Sequence, residues 1–98
     1  MTKPLRIALL LLLVCSALSA QELTVMDELG SPVRDVYFVN KDTSTFSFTD
    51  KNGSVNLRYF LNTDMITISH SGFLTISKKK EELFVQGNKL ILMFEGIL

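Results

Sequence analysis

Phe46-Ser47-Phe48-Thr49-Asp50-Lys51-Asn52-Gly53-Ser54-Val55-Asn56-Leu57 joins two alternating apolar runs through a short polar turn. Phe46 and Phe48 lie two apart, as do Val55, Leu57 and Tyr59, so each run turns one face to a core and the other to water. The pattern predicts a β-hairpin. The Asp50 carboxylate can accept the backbone N–H two residues on, Asn52 continues the turn, and Gly53 can take the positive φ that closes it. Such a turn sets the register, since a slip of one residue would send the apolar side chains to the solvent face. None of this is catalytic chemistry.

Outward from that stretch the chain reads as further short strands. Glu22 to Met26 alternates and is rich in strand formers, and Gly30-Ser31-Pro32 breaks it. Val33 to Val39 follows, with Val36 and Phe38 on one face and Tyr37 and Val39 on the other. Met65 to His70 alternates again, Gly72 bends the chain into Leu74-Thr75-Ile76, and that strand dissolves in Lys78-Lys79-Lys80-Glu81-Glu82. Lys89 to Phe94 is apolar on both faces, which suggests a central or covered strand. Seven short strands with turn signals between them, no internal repeat and no helical periodicity after residue 20 predict a seven-stranded antiparallel β-sandwich.

Residues 1–20 stand apart from this pattern. Lys3 and Arg6 precede an apolar run from Ile7 to Leu18, and Ala17-Leu18-Ser19-Ala20 supplies small residues before Gln21. That is the form of a cleaved signal peptide, and the run is shorter than the roughly 20 apolar residues of a transmembrane helix. The domain is then residues 21–98. Cys15, the only cysteine, lies in the leader, so neither a disulfide nor a thiol is expected in the exported domain. Without Lys3 and Arg6, 8 Lys/Arg remain against 10 Asp/Glu, and no basic stripe of the kind nucleic acids require is present.

Candidate sites are few. His70 is the only histidine, with no second histidine, cysteine or carboxylate at a metal-ligand spacing, so it reads as a strand-end residue bonded to a neighbouring loop. Asp50-Lys51-Asn52-Gly53 has the start of a calcium loop, but an EF-hand places glycine sixth and glutamate twelfth, where this chain has Val55 and Leu61. Asp64, Ser69 and Ser71 near His70 suggest a triad without a nucleophile elbow or a Gly-rich oxyanion loop. Lys78 to Lys80 reads as a solvated loop or a guard on an edge strand. No catalytic residue, metal ligand or cofactor site is assigned; Asp50, Asn52, Gly53 and Gly72 are assigned as structural turn residues.

Asp27, Gly30-Ser31-Pro32-Val33, Val36, then Phe48-Thr49-Asp50-Lys51-Asn52-Gly53-Ser54-Val55-Asn56-Leu57, then Ile66 to Phe73 together resemble the carboxypeptidase regulatory-like domain. Where that family commonly places a glycine before the core valine of its second strand, this chain has Asp35. The resemblance implies a transthyretin-like seven-stranded sandwich and carries over no catalytic residue. It further implies a module like the N-terminal extension of TonB-dependent outer-membrane receptors, hence export to the periplasm or outer membrane of a Gram-negative bacterium. The expected function is non-enzymatic protein–protein interaction, with no nucleic acid or small-molecule ligand. The alternatives are a truncated receptor remnant with no role of its own and, from a different class, a small secreted hydrolase. Partner capture is expected at sheet edges, taken to be the first strand (Leu23 to Met26) and the segment from Leu74 to Val85.

Overall fold

The computed structural model describes residues 21–95; the expected leader, its cleavage site and Cys15 lie outside the described residues. Seven strands and one short helix follow one another: β1 (Glu22–Asp27), β2 (Tyr37–Asn40), β3 (Phe46–Phe48), β4 (Ser54–Asn56), β5 (Met65–Ser69), β6 (Ile76–Lys79), α1 (Lys80–Leu83) and β7 (Lys89–Leu92). The fold is all-β, in two sheets of order β4-β1-β7 and β3-β2-β5-β6. Alternation explains what each sheet buries. Leu23 and Val25 of β1, Val55 of β4 and Leu92 of β7 meet Phe38 of β2 and Ile66 and Ile68 of β5 in a single core, closed by Val33, Val36, Leu57, Phe60 and Leu83. Each such side chain contributes about 1.5–3 kcal/mol by leaving water.

The polar turn at Asp50–Gly53 forms, but it does not make a hairpin. β3 pairs with β2, with Tyr37 opposite Phe48 and Val39 opposite Phe46, whereas β4 pairs with β1, with Leu23 opposite Val55. The turn therefore carries the chain from one sheet to the other. Thr49 is the cause. Its buried hydroxyl donates to Val33 O at 2.7 Å and accepts the Val36 N–H at 2.9 Å. Its N–H donates to Val36 O, and its carbonyl accepts the Asp35 N–H. These four bonds tie the end of β3 to the approach to β2, so the next residues are free to pair elsewhere.

The same arrangement reverses the expected faces of β3. Ser47 lies opposite the fully buried Phe38, so Phe46 and Phe48 face outward, 61% and 52% exposed. Period two separates the faces of a strand without saying which is inner. Tyr59, expected on the core face of the next strand, is exposed beyond the end of β4.

Three further features depart from the expectation. The sheet holding β1 is not wholly antiparallel, because β7 runs parallel to β1, with Thr24 opposite Lys89 and Asp27 opposite Leu92. The β7 strand, expected to be central or covered, is an edge whose Ile91 is exposed. The lysine run is not a loop either: Lys78 and Lys79 end β6, and Lys80 opens α1.

A short internal repeat is also present. Asp27-Glu28-Leu29-Gly30-Ser31 and Asp50-Lys51-Asn52-Gly53-Ser54 build the same turn bond for bond. Asp27 Oδ1 accepts the N–H of Leu29 and of Ser31, each at 2.9 Å; Asp50 Oδ1 accepts those of Asn52 and Ser54, at 2.8 and 3.0 Å. In both turns the glycine N–H donates to the aspartate carbonyl, and the aspartate N–H donates to the serine carbonyl. Gly30 and Gly53 hold φ of +83° and +75°.

Candidate interaction surface

The turn residues expected from the sequence occupy two places. Asp50, Asn52 and Gly53 form the crossover between sheets, and Gly53 is the most crowded of the described glycines. A Cβ there would strike the Val25 carbonyl oxygen and come within 3.2 Å of both Pro32 Cβ and Val33 N. Gly72, at φ +88°, forms the corner after β5, where the chain beyond β7 docks. Glu95 N–H donates to Gly72 O and Leu74 N–H donates to Met93 O, both at 3.0 Å, while Phe73 stacks on Phe94. His70 belongs to this corner: its Nδ1 lies 2.7 Å from Ser71 O, and its ring meets Phe73 edge-on.

The residues of the suspected triad are not brought together. Asp64 precedes β5 and His70 follows it, so about 20 Å of extended chain separates them. Asp64 Oδ2 instead accepts the Leu61 N–H at 2.9 Å. Lys80 is buried, with Nζ donating to Phe60 O at 2.8 Å. Burial pushes the Lys80 ammonium below the usual lysine value, with the Asp64 charge acting in the opposite sense. The Asp42 carboxyl is held below its usual value by the Ser44 hydroxyl and then the Ser44 N–H. Among the described residues no group of three or more His, Cys, Asp or Glu is placed to hold a metal ion.

What the sequence reading missed is an aromatic surface. Tyr37, Phe46 and Phe48 stand on the outer face of the four-stranded sheet. The Tyr37 ring is 4.9 Å from Phe48 and 6.2 Å from Phe46, and the two phenylalanine rings lie edge to face at 6.3 Å. These are favourable aromatic geometries, so the exposed rings support one another without a core behind them. The Thr67 and Ser77 hydroxyls, 3.2 Å apart, continue the same face toward β6.

The edges differ in how they meet solvent. The first strand, expected at an edge, is central in its sheet, so its backbone is already paired on both sides. β6 is an edge as expected, and it is guarded. Lys78 lies opposite the buried Ile66 and so sits on the inward face of the edge strand, a device that discourages a further strand from adding. Between β6, α1 and β7 a groove of about 270 Å³ is lined by charges of both signs, Lys78, Lys89 and Glu82, over Leu83 and Leu90. β4 turns polar Ser54 and Asn56 away from the core. Among the described strands, only β3 joins an uncharged edge to two exposed aromatic rings.

Compared with known proteins, the chain gives no significant match to any protein family or to any curated protein.

Proposed function

We propose that this chain is a non-enzymatic binding module, a transthyretin-like seven-stranded sandwich of the carboxypeptidase regulatory-like kind, exported to the periplasm or outer membrane, that engages a protein partner. The observation that carries the reading is the cluster of half-buried Tyr37 with exposed Phe46 and Phe48 beside the unguarded β3 edge. An edge strand offers backbone N–H and C=O groups to an added strand, and adjacent aromatic side chains supply the apolar contact that isolated backbone pairing lacks. The family likeness draws support from Asp35, whose φ of 61° is a conformation that glycine adopts without strain.

The test is capture from envelope fractions on immobilised protein, comparing wild type with Phe46→Ser/Phe48→Ser. Both residues are exposed, so the double variant is expected to fold as wild type does and to lose the partners that wild type retains. Equal capture by a variant of equal thermal stability would overturn the assignment. A function abolished by His70→Ala or Ser69→Ala in a folded protein would point instead to chemistry at the Gly72 corner.

A further inference from the structure

We infer that the partner that fits the β3 edge is a second copy of this chain, related by a twofold axis beside Ser47; the inference rests on the binding-module reading and names its occupant. Thr45-Phe46-Ser47-Phe48-Thr49 reads the same in both directions. An antiparallel pair formed by a strand with its own copy needs such a sequence, because residue 46 of each copy must suit residue 48 of the other.

The backbone agrees with that centre. Asn40 N–H donates to Thr45 O, and Thr49 N–H donates to Val36 O, so Thr45, Ser47 and Thr49 point their polar groups at β2. By the alternation of an antiparallel ladder, the N–H and C=O of Phe46 and Phe48 point to the free edge. Centring the axis on Ser47 sets Phe46 of each copy opposite Phe48 of the other, and both of those residues have outward groups to exchange. Four backbone hydrogen bonds form. A shift of one residue would oppose groups already committed to β2.

The side chains are self-complementary as well. The axis joins the two aromatic clusters on the outer face, with Phe46 and Phe48 in directly opposed cross-strand pairs. No charge lies between Thr45 and Thr49, so a second copy meets no like charge there. At the β6 edge, by contrast, it would set Lys78 and Lys79 against lysines.

The test is sedimentation velocity over a concentration series together with directed cross-linking. Changing Cys15 to Ser leaves Ser47→Cys with the only thiol, whether or not the leader has been removed. Ser47 and its symmetry mate form a non-hydrogen-bonded pair with Cα atoms about 4.5 Å apart, inside the roughly 4.4–6.8 Å that a disulfide spans. Wild type is expected to dimerise reversibly, and Ser47→Cys to cross-link in a glutathione redox buffer. Ser77→Cys on the β6 edge should stay monomeric under the same conditions. Phe48→Lys should weaken dimerisation about tenfold or more. A protein monomeric at every concentration, or one in which Ser77→Cys links as fast as Ser47→Cys, overturns the proposal. A monomer whose envelope partners still depend on Phe46 and Phe48 would refute the second copy and leave the binding module standing. A dimer that retains no envelope protein other than its own copy would support the second copy as the occupant of the edge.

Discussion

Replacing Gly53 and Gly30 by alanine separates two costs that usually come together. Both glycines sit in the same five-residue turn at φ near +80°, where a Cβ costs about 1–2 kcal/mol. Alanine also restricts the unfolded chain, which returns about 0.4–1 kcal/mol in either variant. Around Gly30 nothing lies within 4 Å of the added methyl, so Gly30→Ala should cost about 1 kcal/mol. At Gly53 the methyl strikes the Val25 carbonyl oxygen, which is held between strands and accepts the Val33 N–H at 3.0 Å. Relief requires moving β1 or stretching that buried bond, a further cost of about 1–3 kcal/mol. Gly53→Ala should therefore cost about 2–4 kcal/mol, or roughly 10–25 °C in Tm, against about 5 °C for Gly30→Ala. Thermal unfolding followed by far-ultraviolet circular dichroism reads both. Melting temperatures of the two variants within about 2 °C of each other would show that the crowding at Gly53 has no energetic weight.

Two further outcomes follow from buried polar groups. Thr49→Val removes the hydroxyl that serves Val33 O and Val36 N and leaves both buried groups without it, so urea denaturation should show a loss of about 2–4 kcal/mol. Thr49→Ser, which keeps the hydroxyl, should lose less than half as much. Lys80 binds its proton less tightly in the folded protein than the usual 10.5, so in the interval below 10.5 the unfolded chain carries more of that proton. The Lys80 contribution to stability accordingly rises with pH through that interval and is flat below the folded value. Urea midpoints of wild type measured against Lys80→Met from pH 8 upward should diverge in that direction; an unchanged difference would place the Lys80 ammonium in water.

How far the sequence could be read depended on whether local chemistry or distant pairing made each feature. The Asp50 and Gly53 turn was legible because its bonds run within five residues, and the buried set Val36, Phe38, Ile66 and Ile68 followed from alternation. The expected hairpin does not form because turn chemistry specifies a reversal of the chain but not the strands on either side of it. That choice rests on Thr49, whose partners Val33 and Val36 lie 16 and 13 residues away. Alternation assigns Phe46 and Phe48 to the core because large apolar residues are usually buried, whereas the structure turns both outward. The parallel pairing of β1 with β7 joins opposite ends of the described chain and leaves no local trace. The turn at Asp27 repeats the one at Asp50, but Glu28 and Leu29, which share no side-chain chemistry with Lys51 and Asn52, mask the likeness in the sequence.

The parallel partnership of the first and last strands also orders events in time. The sheet of β2, β3, β5 and β6 draws on residues 37–79 and joins its strands antiparallel, so it can assemble from one contiguous stretch before β7 is in place. β1 is made before any of them and has no β7 beside it until nearly the whole domain has been synthesised. Closing that long loop is the slow step expected of non-local strand pairing. Until it closes, the backbone of Thr24 to Asp27 on the side that β7 will occupy is an unpaired edge open to any passing strand, and whatever escorts the unfolded chain has that segment to shield.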